Sequence, residues 1–427
     1  MADLTLTQLN GLVKKVYGKA PLDLLPANNK ILKTVKFEAA SKLGDTYEQM
    51  VILSRSGGFT WGGSTGTNFS LNTAQPMVSK SASVKGYEYV HRARVAYGVL
   101  SRARANGPTA FASALNLTFQ ELMSAFGYYA ELTMLWGGRG MGIAASSANT
   151  NATTTVVTMK LSDWAPAIWG GSEGKTLNFY TTNTTLVSSA ADAVFTISAV
   201  DITNRKLTVT GTATGITALD SAISGNANNV YLYWQGAFGN EPTSLYQIIS
   251  NTGTLFGIDA SAYSLFQGNT YDAGSAALTF GKLETAVAAI FARSGYSGDA
   301  TVYLSPKTFA NVAADQAAMR LYDGSTTGGE FVNGASSLKF YTVAGLLTVE
   351  VHPYMKEGYA FVLADPSDTT IWRRVGSTDI TNTLPGQDGL FVQNSDIATL
   401  EVRMYGDFAP FSPKPLVNGL ITNIVNS

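Results

Sequence analysis

The chain has 427 residues, enough for two to four domains, and only 14% of them are charged against a usual ~25%. It has no cysteine, which excludes disulfides, thiolate metal sites and cysteine nucleophiles, and its net charge of −1 gives no basic field to attract nucleic acid or an anionic membrane. No basic segment followed by an apolar run opens the chain and no apolar stretch of 18 residues occurs, so neither an export signal nor a membrane span is expected.

Residues 1–44 read as an N-terminal arm. An amphipathic helix is expected over 4–17, and Pro21 and Pro26 break up the stretch after it. Lys14, Lys15, Lys19, Lys30, Lys33 and Lys36 make this the most basic part of the chain. Two readings stay open for these lysines: a solvated arm, or contact with a polyanion or an acidic neighbouring subunit.

Residues 45–100 read as an extended loop made of two long β arms. The outgoing arm is 46–53. In the return arm Tyr87, Tyr89, His91, Ala93, Val95 and Tyr97 alternate with Glu88, Arg92 and Arg94, the period of a half-buried strand. Between the arms, 56–76 holds five glycines, no charge, and the aromatics Phe59, Trp61 and Phe69. An uncharged loop of ~20 residues without structure of its own is out of place inside a compact domain. It is accounted for if the three rings rest on another subunit.

Residues 101–148 are organised by a long helix, Pro108–Trp136. Asn106-Gly107-Pro108 starts it, since proline costs nothing in a first turn, and Gly137-Gly138 stops it. Phe111, Leu115, Leu122, Phe126 and Tyr129 recur at helical spacing. About 29 residues at ~1.5 Å each give a rod of about 43 Å. Only Glu121 and Glu131 are charged, so a helix covered on most sides by protein is expected.

A Ser/Ala/Asn/Thr linker, 144–154, comes next, and then short β runs at 155–161, 176–181, 194–200, 206–210 and 230–234, with 201–205 as a tight turn. Residues 149–238 therefore read as a small inserted all-β domain. Residues 239–395 read as an α/β domain. Leu283, Val287, Ile290 and Phe291 share one face of a helix that Gly295 ends, a strand comes after it at 301–304, and Ser305-Pro306 caps a second helix reaching about residue 321. Past a Gly/Ser/Thr-rich loop at 323–337, strands are expected at 339–343, 346–351, 359–363 and 370–373. Residues 396–427 hold a last clear strand around Leu400, Val402 and Met404, with Pro410, Pro413 and Pro415 keeping the exit extended.

No chemistry-bearing constellation emerges. Gly170-Gly171-Ser172-Glu173-Gly174-Lys175-Thr176 is one residue short of a phosphate-binding loop and precedes a strand rather than a helix. The glycines at 138–142 come after a helix, the reverse of a dinucleotide fingerprint. His91 and His352 are the only histidines; without metal-motif spacing each reads as structural. No serine sits in a nucleophile elbow. No catalytic, cofactor or metal residue is assigned.

The order of parts resembles the major capsid protein of tailed bacteriophages, the α+β Hong Kong phage capsid fold shared with herpesvirus capsid floors and encapsulins. The likeness rests on Pro108–Trp136 as spine helix, 46–97 as extended loop, 280–321 as axial-domain helices around a strand, and 400–421 as the closing strand of the peripheral domain. The resemblance implies a structural protein without enzymatic activity or cofactor. Its copies would form hexamers and pentamers of an icosahedral shell around double-stranded DNA, bound without sequence specificity. Each extended loop would lie over a neighbour. The implied location is the virion, after assembly in the host cytoplasm, with a portal, decoration proteins and a separate scaffolding protein as further partners and no membrane. Ser56–Pro76 holds no lysine, so the lysine cross-link some relatives make at this loop is not expected. Two alternatives stay open: an encapsulin-type compartment shell and, from another class, a β-rich surface adhesin.

Overall fold

The computed structural model describes residues 29–39, 46–64, 66, 68–96, 108–181, 184–225, 229–315, 337–342, 345–381, 391–393 and 399–426. The expected helix at 4–17, and Lys14, Lys15 and Lys19, lie outside these residues.

The long helix spans Pro108–Trp136, as its start and stop signals require. From Leu122 onward it is largely enclosed: Leu122, Phe126, Ala130, Leu132, Met134, Leu135 and Trp136 are all buried. Gly138, at φ +69°, turns the chain out of the last turn; a Cβ there would meet the Gln247 side chain.

A five-stranded sheet lies against the helix. Its centre is Thr399–Phe411, with Tyr87–Ala96 antiparallel along it and Arg373–Thr381 and Phe391–Gln393 also paired to it. Phe37–Ala39 extends it in parallel with Arg373–Thr381. Alternation aims Val402, Met404 and Phe408 at the core, where the Tyr89 ring sits 5.1 Å from Phe408 and 6.4 Å from Phe126. The alternating strand at 87–96 is therefore not the return arm of the extended loop. That return arm is Val78–Lys85, which pairs antiparallel with Thr46–Ser54 from Thr46↔Lys85 to Ser54↔Val78. The alternation identified a half-buried strand but carried no information on its partner.

Next, a seven-stranded sheet runs in the order Val230–Trp234, Gly142–Asn151, Thr154–Met159, Lys206–Thr210, Phe195–Asp201, Thr176–Thr181, Thr185–Leu186. Val230–Trp234 also pairs with Thr176–Thr181, so six of the strands close into a ring without free edges. Val157, Met159, Leu177, Phe179, Phe195, Ile197, Leu207 and Val209 fill it. The 144–154 stretch, expected as a linker, is mostly strand here. The expected all-β segment also holds a helix, Ala213–Ser224, capped by Thr212 accepting from Gly215 N and burying Ile216, Leu219 and Ile223.

The third sheet has the order Asn269–Ala276, Gly419–Ile424, Ala360–Ala364, Ala300–Leu304, Leu346–Val351, Ser337–Tyr341. Phe280–Ser294, ended by Gly295 at φ +63°, and Pro306–Ala314, capped by Ser305, pack on it around Leu283, Val287, Ile290, Val302 and Val349. Two strands changed sheets relative to expectation. Gly419–Ile424 joins this sheet rather than closing the one on the long helix. The strand placed at 370–373 runs over Arg373–Thr381 and belongs to the sheet on the long helix.

Candidate intersubunit surface and buried polar clusters

The extended hairpin offers the chain's most unusual surface. Its base is held: Leu53, Ala82 and Val84 are buried, Ser83 N donates to Phe256 O at 2.9 Å, and the Lys80 ammonium lies 5.0 Å from the Tyr263 ring centre. Its outer part is not covered. Phe59, Trp61 and Phe69 are 78%, 88% and 55% exposed, and Met50, Ile52, Leu71 and Met77 are exposed with them. Scattered apolar residues are ordinary on a surface, but here they gather on one hairpin whose tip, 56–76, carries no charge.

The tip is nevertheless organised. Gly57 and Gln75 form a bridge, Asn72 N donates to Thr60 Oγ1 at 2.8 Å and Asn72 Nδ2 to Phe59 O at 2.5 Å. The Phe59 and Trp61 rings stack with centres 6.4 Å apart and planes 22° apart. Phe69 lies so close over Gly62 that a Cβ there would collide with its ring. Gly62 thus lets the backbone pass beneath Phe69, and the Asn72 hydrogen bonds brace the segment that carries the Phe59–Trp61 stack.

Of the arm lysines within the described residues, Lys30 turns inward: its Nζ donates to Val351 O at 2.9 Å and stands 3.4 Å from Glu350. Lys33 and Lys36 are exposed. The anchor of this segment is Glu131, one of the two acids on the long helix. Its Oε1 and Oε2 accept from the backbone N–H of Ile31 and Leu32, each at 2.8 Å, and Oε1 is also 2.8 Å from His352 Nε2. Glu131 and His352 have no solvent exposure. The short helix Lys30–Thr34 thus has two orphan N–H groups satisfied by a carboxylate at its N-terminus, where the helix dipole favours negative charge. Glu131→Ala would strand these donors in the core at ~1–3 kcal/mol each. The expected result is a denaturation midpoint lowered by the equivalent of at least ~2 kcal/mol, with faster proteolysis around residues 29–39. An unchanged midpoint would show that the anchor carries no net stability.

A second cluster joins the end of the long helix to the ring and to the third sheet. Lys356, fully buried, points Nζ at Gly140 O (2.8 Å), at Asp163 Oδ1 (3.6 Å) and over the Trp136 ring (4.3 Å to its centre). Arg139 stands 3.7 Å from the same Asp163 oxygen and donates to Tyr359 Oη at 3.2 Å. Burial pushes the Lys356 ammonium down to about 7 against the pull of Asp163. Nearby Glu241 accepts from Gly138 N at 2.9 Å, and burial pushes its carboxyl up to about 7. On the five-stranded sheet, buried Glu401 pairs with Arg403 (2.6 Å) and Arg94 (2.8 Å), with Arg92 at 4.0 Å.

Of the two histidines, His352 is the buried partner of Glu131, and His91 lies with its ring 6.0 Å from Tyr129. Among the described residues no group of three or more acids, histidines or cysteines is placed to hold a metal ion, and no helix is long and apolar enough to cross a membrane. The clusters that sequence reasoning missed, Glu131–His352 and Arg139–Asp163–Lys356, sit at joints between segments rather than in a substrate cleft. Their only signal was a lone acid in an otherwise uncharged helix face.

The architecture is α+β: a long helix under a sheet, a second α/β layer, and a hairpin whose outer part is exposed. No family model and no curated protein sequence matches the chain. Among solved structures, the chain shares the fold of the cyanophage A-1(L) capsid asymmetric unit, with a TM-score of 0.55 at 12% identity over 99% of each chain. The capsid of an empty GTA particle (TM-score 0.49, 9% identity, 100% of this chain and 99% of that one) and the cyanophage Pam1 capsid asymmetric unit (TM-score 0.47, 11% identity, 100% of both) are also similar.

Proposed function

We propose that this chain is a major capsid protein of a tailed phage, a structural subunit that self-assembles through hexamers and pentamers into an icosahedral shell enclosing double-stranded DNA. The observation that carries this reading is the hairpin: three solvent-facing aromatics, two of them stacked on each other, on an uncharged tip. An exposed apolar cluster of this kind is the mark of an interaction site. The capsid fold supplies the context in which the other half is a second copy of the chain. Phe59, Trp61 and Phe69 then act as an intersubunit clasp. The basic arm, with Lys33 and Lys36 exposed, is free to reach an acidic neighbour or the enclosed DNA. A separate scaffolding protein, a portal and decoration proteins are its proposed further partners. The test is electron microscopy of the purified protein at rising concentration. Closed shells or ring-shaped capsomers are expected; compact monomers at every concentration would end this reading, and small uniform cages would favour a compartment shell.

The closed ring and its helix, running from Gly142 to Trp234, are proposed as the inserted unit expected at 149–238. Expressed alone, this segment is expected to melt cooperatively. A fragment without a transition would make it part of the core around the long helix, with which it shares the Tyr128 Oη to Ile168 O hydrogen bond at 2.5 Å.

A further inference from the structure

Three arginines on the sheet that lies against the long helix are placed against one another. Arg92 stands directly opposite Arg403 across the strand pair, and Arg94 directly opposite Glu401. Val402 and Met404 point into the core, so by alternation these four side chains share the outer face. Like charges directly opposite each other destabilise a sheet, so folding alone does not favour the Arg92–Arg403 rung. The group is nevertheless built on a fixed post. Glu401 is buried and accepts from Arg403 Nε at 2.6 Å and from Arg94 Nε at 2.8 Å, with Arg92 at 4.0 Å. The side chains of Arg92, Arg94 and Arg403 remain 35%, 19% and 36% exposed, within reach of a ligand.

Three guanidinium charges thus share one carboxylate, which leaves an excess of positive charge at this end of the face. The other acids on the same two strands, Glu88 and Asp407, lie opposite each other beyond the Val90–Tyr405 rung. Four residues of strand put Glu88 about 14 Å from Arg92. That is past the screening length of about 8 Å at physiological salt, so the excess stands. The chain as a whole carries a net charge of −1, so it meets a polyanion through local clusters of this kind or not at all.

We propose that Arg92, Arg94 and Arg403, seated on Glu401, form a phosphate-binding face that takes the backbone of double-stranded DNA. The inference rests on the reading of a shell that encloses DNA and adds which side chains meet it. Guanidinium groups are planar forks that match phosphate oxygens, and the buried carboxylate holds two of the three in place before any ligand arrives. A duplex presents one phosphate charge per ~1.7 Å of its axis, so it meets the row in any register. An acidic protein segment would have to bring its carboxylates to these particular positions. Short of a groove-entering element, the face reaches phosphates and not base edges, so its binding is indifferent to sequence.

Fluorescence anisotropy of a labelled DNA duplex, titrated with unassembled subunits over a range of salt, tests the face whether or not shells form. Arg92→Gln is the variant of choice, because Arg94 and Arg403 still hold Glu401. It is expected to bind every duplex several-fold more weakly. Its slope of log affinity against log salt should be shallower by about 0.9, the value of one lost phosphate contact. Arg92→Lys, which keeps the charge, should recover the slope. Affinity and slope equal to wild type in Arg92→Gln would overturn the proposal and leave the shell reading, judged by microscopy, untouched. Binding of poly-glutamate with DNA left unbound would assign the face to an acidic protein and overturn it as well. Should Arg92→Gln fail to fold, the wild type decides: DNA is expected to protect Arg92 and Arg403 from phenylglyoxal, read by mass spectrometry, and modification at an unchanged rate would overturn the site.

Discussion

Replacing Lys356 with alanine is expected to lower the stability of the subunit by about 3–5 kcal/mol, the usual cost of removing one partner from a buried ion pair. The loss has three parts. Asp163 Oδ1 keeps only Arg139, at 3.7 Å, in a site closed to water; Gly140 O loses its donor; and the face of Trp136 loses the cation and the aliphatic stem that cover it. Lys356→Met retains the stem and removes the charge, so it should cost distinctly less than the alanine variant. Equal losses would mean that packing around Trp136, rather than the charge, is what matters. The same lysine predicts a pH dependence. Its ammonium is held down at about 7 when folded against 10.5 unfolded. Between those values the unfolded chain binds the extra proton, so this group's contribution to stability rises as pH rises from about 7 towards 10.5 and is lost as pH falls back through it. Denaturant melts at pH 7 and pH 9 should show that rise in the wild type and not in Lys356→Met. A rise of equal size in both proteins would assign it to other groups.

That cluster also marks the boundary of what could be read in the chain. Residues 139, 163 and 356 meet only because the helix end, the single helical turn Leu161–Asp163 after the strand Thr154–Met159, and the loop after residue 351 converge, and no local pattern encodes that convergence. Local chemistry was legible where one residue type has one physical use. Pro108 and Gly137-Gly138 bounded the long helix, Ser305-Pro306 capped its helix, and Gly295 ended another in the left-handed conformation. Strand existence was legible at Tyr87–Ala96, but its partner was not, because alternation reports two unlike faces and nothing about the neighbouring strand. Residues 144–154 read as a linker because Ala, Ser, Asn and Thr carry little β signal, yet most of them lie in the strand Gly142–Asn151. It is a strand because its neighbours in a closed sheet supply the hydrogen bonds. The helix Ala213–Ser224 did leave a trace, an N-capping Thr212 with Ile216, Leu219 and Ile223 on one face, but short β runs on either side masked it. For the candidate surface, exposure was legible: an uncharged, glycine-rich run with three aromatics gives its own fold little to bury, and Phe59, Trp61 and Phe69 are exposed in the structure.

Truncating Trp61 to alanine is expected to leave the melting of isolated subunits unchanged and to reduce the yield or thermal stability of assembled particles sharply. In the subunit the ring touches little but Phe59, and it is 88% exposed, so removing it withdraws almost no buried surface. At an interface the balance is different. A central aromatic anchor of this kind is commonly worth ~2 kcal/mol or more on truncation, because its pocket is left without its occupant. In a closed shell the deficit recurs at every copy, and shell formation depends on all the contacts together. A change that is modest at one site therefore becomes a large shift in the concentration at which particles form. Phe59→Ala should act in the same direction, since it removes the ring that holds the indole in place. Phe69→Ala should act more weakly, since that ring is half covered by the hairpin itself, lying over Gly62. Differential scanning of subunits and particles, wild type beside each variant, resolves the two effects. Particles of normal yield and melting temperature from Trp61→Ala would show that the hairpin is not a clasp. A lowered melting temperature of the isolated subunit would place Trp61 in the chain's own core instead.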